Sequence, residues 1–337
     1  MISFSKKQIL IGFGILILIA FPLYYLISNN TEVEENKDTE YAAEMKREYK
    51  IYSPVIPKNL SFAGESVPID TYYVYEAVDR EILVNTYWHS NLILLLKRAY
   101  RYFPIIEPIL KKEGIHDDFK YLALIESSFT NVSSPAGAAG FWQFMKATGE
   151  RFNLEITKEV DERLNLVKAT HAACSYLKIL NRQFNSWTSA AAAYNMGEGG
   201  LRRQMTQQKQ DDYWNLHLNS ETSRYVSRIL AVKIIIEAPL QYGLNLRLSD
   251  MYQPIPTRTI EVDTSITSLI DFAIEHNSNY RVLKEFNPWL ISTSLTNVNR
   301  KKYLIQLPEI GYESRARQLS KLNSKNMIFG SDSVVIN

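Results

Sequence analysis

Cysteine is almost absent from this sequence, which has a single such residue, Cys174, among 337. One thiol cannot form an intrachain disulfide or build a structural zinc cluster of several cysteines. The five histidines show no metal-ligand spacing, and no glycine-rich phosphate loop follows a predicted strand. We therefore expect neither a metal nor an organic cofactor. Cys174 lies among alanines in a helical pattern, which predicts a buried small side chain.

Net charge is nearly absent as well. Lys6 and Lys7 precede the first apolar segment, which leaves 36 of the 38 basic residues against 36 acidic residues in the rest of the chain. A neutral surface offers little attraction to a nucleic acid or another polyanion. The chain is long enough for a sizeable core and suggests roughly two domains.

Residues 9–27 lack charge over 19 positions, close to the ~20 that a bilayer core requires. Lysines precede this run and glutamates follow it, which predicts a cytoplasmic N-terminus and export of the remainder. A cleaved signal peptide is the alternative, but the run is long for one and no A-x-A-like cleavage site follows. We predict a transmembrane signal anchor over residues 1–28 and a polar spacer over residues 29–50.

Between residues 70 and 238, apolar residues recur at helical spacing, and no strand alternation of useful length appears. Pro104 and Pro108 predict a break, with a separate short helix over residues 105–112. These features predict a mainly α domain over residues 51–250. Further helices are expected at about 141–152, 163–184, 187–196 and 221–238.

Prolines at 239, 254 and 256 mark a linker. The pattern after the linker predicts strand, helix, helix and strand, which form a small βααβ module over residues 259–308. The last residues, 309–337, are polar and predict a loosely ordered tail. The four elements are expected at about 259–262, 265–276, 280–286 and 302–307.

Acidic residues are missing from residues 127–149. Glu126 directly precedes this stretch, at the predicted C-terminal end of a helix. The partial negative charge of a helix C-terminus and burial by nearby aromatic residues would both raise the pKa of its carboxyl group. A raised pKa suits a general acid that works near neutral pH. An ordinary exposed glutamate is the alternative, and the acid-free sequence that follows favours function.

Four motifs occur in order: Glu126-Ser127, then Ser134-x-x-Gly137-Ala138-x-Gly140-x-x-Gln143-x-Met145, then Ala193-Tyr194-Asn195-x-Gly197, then Glu221-Thr222-x-x-Tyr225-Val226. Together they resemble the motifs of the soluble-lytic-transglycosylase domain. The sequence Phe141-Trp142-Gln143 is similar to that of the D-type membrane-bound murein lytic transglycosylases. The resemblance covers about residues 50–250.

The resemblance implies a goose-lysozyme-like α fold that cleaves the β-1,4 bond between N-acetylmuramic acid and N-acetylglucosamine in peptidoglycan. It implies that Glu126 protonates the glycosidic oxygen and then acts as base on the C6 hydroxyl of the same muramic acid, which closes a 1,6-anhydro ring. The remaining implied roles are a contact of Ser134 to the acetamido region, cleft lining by Gln143 and Met145, a hydrogen bond of Tyr194 near Glu126, and substrate positioning by Asn195 and Glu221.

Several of these residues also have a structural interpretation. Ser134 precedes a proline and could form only a turn. Gly140 could serve a positive φ, close packing, or both. Tyr194 could belong to the core, and Glu221 could complement a helix dipole.

The lack of a second acid bears on the reaction type. Most glycosidases use two carboxylates. An intramolecular hydroxyl with a high effective molarity explains how Glu126 could act without a partner. A muramidase that uses water is one alternative, and a wall-binding protein with an inactive site is another. The intact residues Glu126, Ser134, Gln143 and Tyr194 argue against the inactive protein.

The C-terminal module is similar to LysM, a βααβ glycan-binding unit, in Val262-Asp263-Thr264, Asn287-Pro288-Trp289-Leu290 and Leu307-Pro308. Val262 stands where LysM usually has glycine, so sugar binding and a structural role both remain open for this module. Together these features predict an enzyme anchored in the inner membrane of a Gram-negative bacterium. It would face the periplasm, with peptidoglycan strands as its partner.

Overall fold

The computed structural model describes residues 39, 40, 43, 52–312, 314–322 and 327–331. The predicted anchor over residues 1–28 lies outside these described residues, as does the predicted spacer apart from positions 39, 40 and 43. Within the described part of the chain, no helix combines the length and the apolar character needed to cross a bilayer.

The chain is mainly α-helical, as predicted. A short hairpin of β1 (Ser61–Phe62) and β2 (Glu65–Ser66) comes first. The helices that follow are α1 (Tyr72–Tyr87), α2 (His89–Glu113), α3 (Phe119–Ser127), α4 (Lys146–Arg151), α5 (Leu166–Phe184), α6 (Trp187–Met196), α7 (Glu198–Gln208) and α8 (Tyr225–Glu237). The C-terminal elements are β3 (Thr257–Val262), α9 (Leu269–Glu275), α10 (Tyr280–Phe286), β4 (Tyr303–Pro308) and α11 (Arg315–Ser320).

Helix α8 is the centre of the larger core. It is apolar on nearly all sides, as expected of a helix without a solvent face, and it packs against α1, α3 and α6. Four consecutive alanines of α6, residues 190–193, are fully buried, as is Cys174 on α5. Burial raises the pKa of the Cys174 thiol to about 12, so its predicted role as a small buried side chain is confirmed.

The predicted break at the prolines is wrong. Helix α2 continues through Pro104 and Pro108 to Glu113. Each proline removes one hydrogen bond from the helix, but the buried face continues across both of them through Phe103, Ile106 and Leu110. Packing of that face against the core therefore outweighs the local preference for a break.

The predicted helix over residues 141–152 forms only over its last part, α4. The preceding residues fold back instead, and Ala139 pairs with Phe144 across a short bridge. Helix α7 was not predicted, because its sequence is polar and glycine-rich and has one buried residue, Leu201. Its sequence therefore carries no apolar periodicity to detect.

The strand–helix–helix–strand order of the C-terminal module is confirmed. Strands β3 and β4 pair antiparallel, with Thr257 opposite Pro308 and Val262 opposite Tyr303. The module has a core of its own, which includes Leu269, Leu283 and Ile305.

The tail is more ordered than predicted where the structure describes it. Phe329 is 5% exposed and belongs to the main core. Its backbone N–H donates to the carbonyl of Leu246 (2.7 Å), and the N–H of Leu248 donates to that of Met327 (2.8 Å). The prediction of a loose tail rested on overall polarity, and it overlooked apolar residues such as Phe329 that pack on the core.

Glu65 in the hairpin caps the first turn of α6, the helix that carries Tyr194 and Asn195. Its carboxylate accepts hydrogen bonds from the hydroxyl of Ser186 (2.9 Å) and from both the N–H (2.9 Å) and the hydroxyl (2.6 Å) of Thr188. Burial alone would raise the pKa of Glu65, but these hydrogen bonds together lower it. The hairpin thereby fixes one end of α6.

We predict that Glu65→Gln lowers the free energy of unfolding by about 1 kcal/mol at neutral pH, because an amide cannot accept from all these donors. A lowered folded-state pKa contributes stability above the ordinary value of 4.5, and this contribution is lost as the pH falls through the folded pKa. Urea unfolding should therefore separate the variant from wild type at neutral pH, and the difference should shrink as the pH falls below 4.5 and through the lowered folded-state pKa. Glu76→Gln on the exposed face of α1 is the control, and an equal loss there would contradict the assignment.

Candidate active site

Glu126 lies in the last turn of α3, as predicted. The helix ends in two consecutive non-glycine residues with left-handed backbone, Ser128 (φ 52°) and Phe129 (φ 50°). Ser127 holds this turn. Its hydroxyl donates to the carbonyl of Phe141 (3.0 Å) and accepts from the N–H of Phe129 (3.1 Å). Such conformations are uncommon and concentrate at functional sites.

Aromatic rings fill the space behind this helix end. Phe129 and Phe141 stack with centroids 5.3 Å apart, and Tyr102 contacts both rings edge-on. Trp142 is fully buried, and its indole N–H donates to the hydroxyl of Thr170 (2.9 Å). The result is a packed aromatic cluster at the end of the helix that carries Glu126.

The loop over residues 132–144 is held by hydrogen bonds within itself. Ala139 and Phe144 exchange two backbone hydrogen bonds, 3.0 and 3.1 Å long. Gly140 has a φ of 79°, and a Cβ added there would lie 2.0 Å from the carbonyl oxygen of Arg163. Both interpretations of this glycine therefore hold at once: it serves a left-handed conformation and a close backbone approach.

The carboxyl group of Glu126 meets helix α8 at its first residue. The hydroxyl of Tyr225 donates a hydrogen bond to Glu126 Oε1. Burial raises the pKa of Glu126 to about 7; the Tyr225 hydrogen bond and the charge of Arg228 oppose this rise, and the charge of Glu221 adds to it. Desolvation by burial, one of the two predicted causes, is therefore the largest influence on the pKa of Glu126.

Asn195 and Glu221, both predicted substrate-positioning residues, lie together. The side-chain amide of Asn195 donates to Glu221 Oε1 (3.1 Å), and its oxygen accepts from the hydroxyl of Thr222 (2.8 Å). Glu221 stands at the N-terminus of the short helix that follows, where its charge can complement the helix dipole, although its side chain makes no capping hydrogen bond there. Since the charge of Glu221 acts on Glu126, these residues belong to the same electrostatic site.

The other predicted residues differ in what they contact. Ser134 Oγ accepts from the N–H of Ala138 (3.1 Å) within its turn. The amide of Gln143 donates to the carbonyls of Val132 (3.1 Å) and Gly140 (2.8 Å), and so stabilises the loop. Met145 is 47% exposed.

Tyr194 donates to the carbonyl of Trp142 (2.7 Å) rather than to the Glu126 carboxylate. Burial raises the pKa of Tyr194 well above its usual value, and the charge of Glu126 adds to this rise, so the phenol lies within the same site. Its direct role is to hold the loop in place.

Sequence reasoning missed the closest partner of Glu126. Tyr225 belongs to the fourth motif, but an apolar helix start made it indistinguishable from a core residue. Arg228 lies one turn further along α8 and was not singled out either. The available signal was the helical spacing of the two residues, which places them on one face.

The site thus provides one carboxyl group, that of Glu126, which accepts a hydrogen bond from the Tyr225 phenol and has a pKa near neutrality, as a general acid or base requires. Glu221 is nearby but exposed. Within the described ranges, no three His, Cys, Asp or Glu side chains are grouped so as to hold a metal ion.

Comparison with known proteins agrees with the motifs. Residues 103–217 match the family described as Transglycosylase SLT domain, and residues 258–311 match the family described as Soluble lytic transglycosylase C-terminal LysM-like domain. Membrane-bound lytic murein transglycosylase D of Escherichia coli K12 is 30% identical over 204 residues, which are 59% of this chain and 44% of that protein. Its counterpart in Escherichia coli O6:H1 matches equally. The chain thus spans less than half the length of these relatives.

The solved structure of the 70 kDa soluble lytic transglycosylase SLT70 from Escherichia coli also aligns, with 26% identity and a TM-score of 0.34 over 39% of this chain and 23% of that one. The resemblance stated from the four motifs is confirmed by the family matches. The chain carries a transglycosylase SLT domain, followed by a LysM-like domain of the kind found at the C-terminus of soluble lytic transglycosylases.

Proposed function

We propose that this chain is a peptidoglycan lytic transglycosylase that uses Glu126 first as acid and then as base. It would cleave the β-1,4 bond between N-acetylmuramic acid and N-acetylglucosamine and leave a 1,6-anhydromuramic acid end. The observation that carries the proposal is the position of Glu126. Its half-buried side chain stands at a helix end, inside the residues that match the SLT family, and its carboxyl group accepts a hydrogen bond from the Tyr225 phenol.

In the first step, protonated Glu126 would give its proton to the glycosidic oxygen, and the bond from that oxygen to C1 of muramic acid would break. Tyr225 donates to Oε1, so we assign the transferred proton to Oε2. With a pKa of about 7, a large fraction of Glu126 is protonated at neutral pH. The 2-acetamido group of the same sugar would stabilise the positive charge that develops at C1.

In the second step, the Glu126 carboxylate would accept the proton of the C6 hydroxyl while O6 bonds to C1. Tyr225 and Arg228 both favour the ionised form of Glu126, so they would stabilise the carboxylate between the two steps. No water is consumed, and Glu126 ends protonated, ready for the next cycle. The reacting hydroxyl is held on the substrate itself, and this proximity supplies the advantage over water.

The remaining site residues would bind the glycan. Asn195 and Glu221 present polar groups beside Glu126 and would position the sugar. Exposed Met145 would offer a contact surface, and Gln143 would line the cleft while it braces its loop. We assign Ser134 a contact to the acetamido region in addition to its turn.

We also propose that residues 1–28 anchor the protein in the inner membrane and that residues 51–250 face the periplasm. This proposal rests on the charge-free run of residues 9–27, on the lysines before it and on the membrane-bound name of the Escherichia coli relative. An anchored enzyme would stay within reach of the wall, and peptidoglycan strands would be its partner.

The product decides between lyase and hydrolase. We predict that digestion of purified sacculi releases muropeptides that lack one water relative to the products of a muramidase digest of the same sacculi. Mass spectrometry of the two digests measures the difference directly. Reducing muramic acid ends from this protein would instead establish the muramidase alternative.

We predict that Glu126→Gln lowers the rate of muropeptide release by about 10²- to 10⁴-fold, the contribution typical of general acid–base catalysis. Glu150→Gln is the matched control, because Glu150 is an exposed acid on α4 whose contact is a long ion pair with Lys146 (3.8 Å). Full activity of Glu126→Gln on sacculi would refute the mechanism.

The pH profile should move in opposite directions in two variants. Protonated Glu126 starts the reaction, so activity falls as the pH rises through its pKa. Tyr225→Phe removes an influence that lowers this pKa, and the alkaline limb of the kcat profile should move to higher pH. Glu221→Gln removes an influence that raises it, and the limb should move to lower pH. Shifts of the same sign in both variants would contradict the assigned electrostatics.

A further inference from the structure

The LysM-like module is joined to the SLT domain along residues 155–162, which lie between α4 and α5. The backbone N–H of Asp161 donates to the carbonyl of Trp289 (2.8 Å), and that of Ile291 donates to the carbonyl of Glu159 (2.9 Å). Between these bonds, Val160 pairs with Leu290 and is 1% exposed within the core of the module. A residue of the catalytic half thus completes the core of the C-terminal half.

Acidic side chains reinforce this junction. The Glu159 carboxylate accepts from the N–H of Thr296 (2.7 Å), and this hydrogen bond, despite burial, lowers the pKa of Glu159. Glu155 accepts from the hydroxyl of Tyr303 (3.0 Å) and pairs with Lys301. The same lysine reaches Glu162 (3.2 Å), so three acids of the segment are held by the module.

Arg163 continues the connection towards the active site. Its guanidinium pairs with Asp161 through two contacts, 2.9 and 2.7 Å long. Its Nη1 atom donates to the carbonyls of Gly137 (2.8 Å) and Phe144 (3.1 Å), both in the loop over residues 132–144. The carbonyl of Arg163 also fills the space at Gly140 where a side chain would clash.

The loop in turn contacts the catalytic helix. The carbonyl of Phe141 accepts a hydrogen bond from the hydroxyl of Ser127, the residue after Glu126. The carbonyl of Trp142 accepts a hydrogen bond from the hydroxyl of Tyr194. Hydrogen bonds and ion pairs, joined by short stretches of backbone, therefore connect Lys301 and Thr296 to the residue beside Glu126.

Two aromatic side chains of the module are buried next to this junction. Trp289 and Tyr303 are 3% and 4% exposed and stack on one another, with centroids 5.7 Å apart. Buried rings cannot stack on a sugar. Their enclosure is consistent with a structural role for the module, one of the two interpretations left open by Val262.

We propose that the LysM-like module is a positioning element of the active site, which holds residues 155–162 so that Arg163 fixes the loop beside Glu126. This inference rests on the proposed function. Arg163 is the central positioning residue, and it acts through backbone carbonyls without touching substrate. An autonomous glycan-binding module is the competing role.

The test uses the full chain with the double variant Glu159→Gln/Lys301→Met, which weakens the junction at one half-buried and one exposed position. Lys302→Met is the matched control, because this neighbouring lysine pairs within the module with Glu261 (2.7 Å). Hydrogen exchange of the amides of Ala139 and Phe144 reports on the loop. Steady-state kinetics on a soluble peptidoglycan tetrasaccharide and pelleting with sacculi report on catalysis and binding.

In the double variant, we expect these loop amides to exchange at least about threefold faster, since local opening becomes easier. We expect kcat to fall by about three- to tenfold with KM nearly unchanged, less than the roughly 100-fold that a 1 Å misplacement can cost. Lys302→Met should match wild type, and binding to sacculi should be retained in both.

Loop exchange equal to that of Lys302→Met would overturn the inference, as would a raised KM with loss of sacculus binding, the result expected of a glycan-binding module. Arg163→Gln should reproduce the faster loop exchange if the connection runs through this side chain. The exchange measurement does not require turnover. An inactive wild type would therefore refute the proposed function and leave this coupling testable.

Discussion

The hydrogen bond between Glu126 and Tyr225 joins the C-terminal end of α3 to the first residue of α8. Enclosure in the protein favours the neutral acid, whereas the phenol and Arg228 favour the carboxylate. The balance keeps the pKa of Glu126 near neutrality, where one group can give and then take a proton. Each half of the contact needs its own support: α3 must end at Glu126, and α8 must begin at Tyr225. Much of the remaining structure supplies that support.

Helix α8 is held by two ion pairs to buried carboxylates as well as by its apolar surface. Glu81 of α1 is 2% exposed and pairs with Arg224, the residue before Tyr225. Lys233 of α8 reaches Asp118 at the start of α3 (2.7 Å). Removing one partner of a buried pair leaves an uncompensated charge, so such pairs constrain geometry even where they add little stability. Helix α1 thus supports the site through Arg224, the residue before Tyr225.

Much of this architecture could be predicted from the sequence, because periodicity reports burial directly. The mainly α class, the βααβ order and the place of Glu126 at a helix end all followed from it. The course of α2 through Pro104 could not be predicted, because it depends on packing across the whole face. Tyr225 escaped notice for a related reason: its neighbours are apolar, and only the fold places its hydroxyl against a carboxylate from residue 126. A contact between residues that are far apart in the chain produces no recognisable pattern in the sequence around either of them.

The match to the SLT family ends at residue 217, before α8 begins. The Glu126 carboxyl group therefore lies inside the matched region, while the Tyr225 phenol that donates a hydrogen bond to it lies outside. A polypeptide trimmed to that region would lack α8, the apolar helix against which α3 and α6 pack, and would expose the core that α8 covers. For this chain, the smallest folding unit is larger than the stretch by which the family is recognised.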